Sequence, residues 1–200
     1  MKSVFLSIFI ICANIVYADD SYDQIKNDLA TANEAQLAKL PKNSEIYRLY
    51  WNRSFDETLI YRVDLTDPKN STITITKLSN KTPKSIIKQT TTILNSIQIE
   101  NVNRFLNGAQ FWDLPSQDPK SLGFDGATWL LEGIKKGKYH YTERWSPLPP
   151  YFGWVATPDG GEKRLEPPFE QQVKHSDEIG LDFLCLYIML MVNPEPEVIY

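Results

Sequence analysis

Glu132, His140 and Arg144 are the residues whose types and spacing come nearest to a reactive group. They flank the turn signal Lys135-Lys136-Gly137. A hairpin with a three-residue loop there, with Gly137 left-handed, sets Glu132 opposite His140 and carries Arg144 along the same face. A carboxylate facing an imidazole orients the ring and tunes it towards general-base work, the chemistry of a hydrolase. In this register Ile134 faces Lys138, Leu130 faces Thr142 and Thr128 faces Arg144. The other face carries Trp129, Leu131, Tyr139, Tyr141, Glu143 and Trp145. Polar residues face one another on the solvated side of most antiparallel hairpins merely to stabilise the sheet, and that structural reading comes first. A glycosidase needs two carboxylates across a sugar, which Asp125 with Glu132 or Glu143 can supply. With 25 acidic residues, such pairs also arise by chance.

Other chemistries have less to stand on. The histidines are His140 and His175, and no His-x-x-x-His or Cys-x-x-Cys spacing occurs, so no metal is expected. No cofactor is expected either. Asp159-Gly160-Gly161 lacks the strand-to-helix setting of a phosphate loop, and there is no Gly-x-Ser-x-Gly elbow. The formal charge of -4 has no basic block behind it, which excludes a nucleic-acid partner as the default. Aromatic residues are a stronger signal. Trp112, Trp129 and Trp145 read as core, while Tyr151, Phe152 and Trp154, held in a loop by Pro149-Pro150 and Gly153, are candidate binding residues for another protein.

The elements that must position these groups begin after an address. Lys2, the apolar run Val4 to Cys12 and the end Val16-Tyr17-Ala18 read as a signal peptide cleaved near Ala18, giving a periplasmic or secreted protein. The apolar run is too short for a stable membrane span. Cleavage discards Cys12 and leaves Cys185 as a free thiol between Leu184 and Leu186, so no internal disulfide is expected. Three Asn-x-Ser/Thr triplets, at Asn52, Asn70 and Asn80, are read as chance in an Asn-rich chain. Residues 19–200 suit a single domain with its own core.

Apolar spacing predicts an amphipathic helix over 21–40, ended by Pro41 and added at the edge of the domain. Four β-branched or aromatic segments follow, Glu45 to Arg53, Thr58 to Leu65, Ser71 to Leu78 and Ser85 to Leu94, and they read as an antiparallel meander. In the third, Ile73 and Ile75 alternate with Thr72, Thr74 and Thr76, as in a strand with one face in water. Helices are expected at 97–107, ending at Gly108, and at 177–192, apolar almost all round and therefore buried. The hairpin lies between them, and the proline-rich stretch 146–175 reads as an extended loop. The expected fold is α+β, an antiparallel sheet of about six strands packed against two helices, with an N-terminal edge helix.

The runs Phe111-Trp112-Asp113-Leu114-Pro115, Gly123-Phe124-Asp125-Gly126-Ala127-Thr128-Trp129-Leu130-Leu131-Glu132-Gly133, Gly137-Lys138-Tyr139-His140 and Arg144-Trp145-Ser146-Pro147 resemble a block found in small exported bacterial proteins of unknown function. The resemblance implies that the block sits between a helix and a closing apolar helix, and it brings no activity, cofactor or site. Together these features point to a non-enzymatic binding protein of the bacterial envelope, in concrete form an inhibitor or immunity protein against a secreted toxin. The alternative is a periplasmic hydrolase acting on cell-wall or glycan material through Glu132 and His140.

Overall fold

The computed structural model describes residues 22–117, 126–145, 154–156, 162–164 and 176–191. The expected signal peptide, Asp125, Tyr151 and Phe152 lie outside these residues. A helix α1 spans residues 22–31. Strands β1 (Glu45–Arg53), β2 (Thr58–Asp64), β3 (Thr72–Leu78) and β4 (Ile86–Ile93) precede α2 (Ser96–Gly108). Then come β5 (Ala127–Lys135), β6 (Lys138–Trp145), the short pair β7 (Trp154–Ala156) and β8 (Glu162–Arg164), and α3 (Ser176–Leu190). The fold is α+β, with six antiparallel strands in the order β4-β3-β2-β1-β5-β6. β1 to β4 form the expected meander because Asp, Asn, Pro and Lys turns separate runs of alternating apolar residues. The β5–β6 hairpin adds to the free side of β1, making β1 an interior strand with partners on both sides and a largely buried pattern.

Both faces of the sheet are covered along its interior strands. One carries Tyr47, Leu49, Trp51, Leu59, Tyr61, Val63, Ile73, Trp129 and Leu131 against Val102 and Leu106 of α2, Phe111, and Leu181, Leu184, Cys185, Ile188 and Met189 of α3. On the opposite face Tyr50, Ile60, Leu78 and Leu130 pack against Ile25 and Ala32, and Ile46 and Ile134 against Leu37. The threonine face of β3, expected in water, is therefore under cover: Thr74 and Thr76 are buried. Alternation identified the two faces, but could not show that the N-terminal segment folds back over the second.

That N-terminal segment is also shorter in helix than its spacing predicts. Asn33 takes a left-handed φ of 57°, Asn33 N–H donates to the Ala30 carbonyl and Glu34 N–H to the Leu29 carbonyl. This is a Schellman ending, and Asn is the side chain that best tolerates it after glycine. The chain then runs on to one 3-10 turn at Leu37–Lys39. At α2 the start is fixed by a capping box, in which the Asn95 carboxamide oxygen accepts from Gln98 N–H and the Gln98 side chain accepts from Asn95 N–H, both at 2.9 Å.

The hairpin differs from its expected register by one residue. Lys135 pairs with Lys138 across a two-residue turn in which Lys136 and Gly137 both have positive φ, 52° and 76°. Two left-handed residues make the primed turn whose twist matches the strands, and a lysine at the first position does not announce it. A one-residue slip exchanges the faces of one strand relative to the other. Trp129 accordingly faces Arg144 rather than Glu143, Trp145 faces Thr128, and Trp112 and Trp145 are half-buried while Trp129 is in the core.

Candidate functional site

The corrected register separates the three residues proposed as a reactive group. His140 pairs with Gly133 and Arg144 with Trp129, on the face covered by α2 and α3, while Glu132 pairs with Tyr141 and points to the face under the N-terminal segment. Glu132 therefore does not face His140. Gly133 is required where it stands: a Cβ there would lie 2.8 Å from Phe111 Cε1 and 2.9 Å from Tyr47 Cδ1. The missing side chain lets both rings lie against the strand.

Each member of the dispersed group has its own partners. His140 stacks edge-on against Phe111, with ring centroids 5.1 Å apart, and lies 6.4 Å from Trp112. Its Nε2 is buried with no hydrogen-bond partner. Burial among these rings, reinforced by the Lys138 ammonium, holds its pKa below 6.5, against the weaker opposing pulls of the Leu114 backbone and the Asp113 carboxylate. Arg144 Nη1 donates to the carbonyls of Pro115 (3.2 Å) and Glu143 (2.7 Å), and Thr142 Oγ1 donates to Pro115 (2.8 Å). These two side chains fix residues 115–117 along the outer edge of β6.

The densest polar cluster among the described residues lies on the other face, and it is made mostly of residues that sequence reasoning passed over. Arg48 Nε and Nη2 both donate to Glu132 Oε2, the Nε bond at 2.9 Å. Arg48 Nη1 donates to the Ala35 carbonyl (2.7 Å) and to Glu34 Oε2 (3.3 Å). Arg62 Nη1 donates to Glu34 Oε1 at 3.1 Å, and Tyr139 OH to Glu132 Oε1 at 2.7 Å. The side chains of Arg48 and Glu34 are each 1 % exposed. Two guanidinium groups and two carboxylates balance, which is how charge survives burial. Desolvation, then the Glu132 charge, raises the Tyr139 phenol well above its ordinary pKa.

A second cluster lies nearby. Asp28 Oδ2 accepts from Tyr50 OH (2.7 Å) and from Lys84 Nζ (2.6 Å), and Lys84 also donates to Thr58 Oγ1 (2.8 Å). Burial, with the hydrogen bond to Asp28 next, raises the Tyr50 pKa strongly. A signal for both clusters exists in the sequence. Asp28 falls three residues after Ile25 and four before Ala32, on the apolar stripe of α1, and Arg48 occupies an inward position of β1 between Ile46 and Tyr50. A polar residue on a buried stripe needs a partner, so these positions mark the contact between the N-terminal segment and the sheet.

The aromatic candidates are placed only in part. Trp154 begins β7 and pairs with Arg164 of β8, in a two-stranded sheet separate from the main one. Cys185 is free and buried, and burial raises its thiol far above the reactive range. Among the described residues no group of three or more His, Cys, Asp or Glu side chains is placed to hold a metal ion. No helix among them is long and apolar enough to cross a membrane.

His140 gives this region a pH signature. Its folded pKa lies below the unfolded value of 6.5, so the unfolded chain binds more protons in the interval between them. Stability is full above about pH 6.5 and falls as pH drops through that interval. His140→Leu is expected to lack this loss. Urea midpoints at about pH 7.5 and about pH 5.5 check it. Equal losses in the two proteins would show the ring to be solvated.

No protein-family model matches the chain, and no curated protein matches it.

Proposed function

We propose that this is a non-enzymatic binding protein of the bacterial envelope, exported with cleavage near Ala18 and working periplasmically or as a secreted protein. An inhibitor or immunity protein against a secreted toxin is its concrete form. The observation that favours this reading over hydrolysis is the commitment of Glu132. Its two oxygens are taken by Arg48 and Tyr139, on the face of the sheet opposite His140. The hydrolase reading rests on Glu132 orienting the His140 imidazole, and Glu132 is engaged instead with Arg48 and Tyr139 beneath the N-terminal segment. Binding makes no such demand, since it needs a stable scaffold and a surface.

The test is capture of a partner by the mature protein from its own envelope and from neighbouring strains' secretions. Phe152→Ala with Trp154→Ala is expected to weaken capture by at least about 2 kcal/mol, as loss of aromatic anchors does, while the melting midpoint stays nearly unchanged. His140→Ala should leave capture intact. Release of a sugar or peptide fragment from cell wall, abolished by His140→Ala in a protein that still melts cooperatively, would overturn the reading.

A further inference from the structure

The two edges of the six-stranded sheet are finished differently. Along β6, Glu143 N–H donates to the Ser116 carbonyl at 2.8 Å, Gln117 bridges to Glu143, and Pro115 accepts from Thr142 and Arg144. That edge is covered. Along β4 all eight residues are exposed. Ile87 is 53 % exposed and Ile93 71 %. Proteins blunt an open edge with charge, proline or a bulge in mid-strand. β4 has no proline and one charge (Lys88), and its register shift leaves Ile87 without a partner on β3, so the ladder is regular from Lys88 to Ile93.

We propose that β4 is the contact of a homodimer, in which two copies pair antiparallel edge to edge about a two-fold axis at Thr90. The backbone phase and the sequence both fit a second copy. Leu94 N–H donates to the Ser71 carbonyl at 2.9 Å. In an antiparallel ladder, inward and outward groups alternate. Residues 88, 90 and 92 therefore bond to β3, and the N–H and C=O groups of 89, 91 and 93 point away from it. A two-fold axis normal to the sheet pairs residues of the same face, and centring it on Thr90 sets Gln89 opposite Thr91 of the second copy, with Ile87, at the irregularity that ends the regular ladder, brought to the second copy's Ile93 end. The outward groups of both strands meet, and the exposed isoleucines meet at both ends of the contact. Lys88 falls opposite Thr92, so no like charges face each other. An unrelated strand would have to match both ends separately, whereas a second copy does so by symmetry.

The register makes the test selective, because residue 90 faces itself. Sedimentation of the mature protein should show a concentration-dependent dimer. Thr90→Lys and Thr90→Glu should each weaken it at least about fivefold, since like charges then face each other across the axis. Mixing the two variants, with a fluorophore on each, should restore pairing as a heterodimer. Thr91→Pro removes an outward donor without touching the β3 ladder and should abolish the dimer. The exposed Thr90 variants serve as the folded reference if the proline variant does not fold. A monomer at all concentrations, or a dimer indifferent to both Thr90 charges, would overturn the proposal.

Discussion

Arg48→Met is expected to cost about 3–5 kcal/mol in a urea unfolding experiment, the range seen when one member of a buried ionic group is removed. The side chain is 1 % exposed and touches two carboxylates and a carbonyl. Removing it strands Glu132 and Glu34, whose neighbours are tyrosine, aliphatic carbon and one remaining guanidinium, that of Arg62. The cost comes from charge left behind more than from the pairs lost. Glu34→Gln and Glu132→Gln in the same chain should therefore recover a large part of it, because a neutral amide is easier to bury than a carboxylate. A loss below about 0.5 kcal/mol, the range of surface substitutions, would mean that water reaches the guanidinium.

Leu184→Ala is the second large effect, expected at about 2–5 kcal/mol. Leu184 is fully buried between Leu181, Ile188 and the aromatic face of the sheet, and an alanine leaves a cavity in a well-packed region. The neighbouring Phe183→Ala is the internal control. Phe183 is 54 % exposed, and its removal should cost much less although the side chain is larger. Denaturant midpoints of the two variants decide it, and equal losses would show that α3 is not seated as described.

The strands and the two later helices were legible because their signals are local. Alternating isoleucine and threonine, turn residues between the runs, and the Asn95-to-Gln98 start all act within a few positions. The hairpin register was not legible, since it depends on Lys136 accepting a left-handed conformation that its side chain does not advertise. The lost residue of register is what placed Glu132 beside His140 on paper. Nor was the second covered face. Thr74 and Thr76 read as solvent-facing, because alternation along β3 carries no sign that the N-terminal segment folds back over that side of the sheet. The closing helix shows the same limit from the other side. It reads as apolar almost all round, yet Phe183 and Leu190 are exposed, because composition alone does not say how much of a cylinder its neighbours can cover.

The position of β1 has a consequence for the order in which the molecule is assembled. Its partner on one side, β2, follows within a few residues, but its partner on the other is β5, and Arg48 is 84 positions from Glu132. During synthesis the meander can close early, yet β1, an interior strand of the finished sheet, is at that stage an outermost strand, with Tyr47, Leu49 and Trp51 beside an unpaired backbone. Closing so long a loop carries an entropic cost that only the docked hairpin offsets, which places the chain among slow, topology-limited folders. A nascent chain that stalls before residue 127 leaves β1 open to any other unfinished copy.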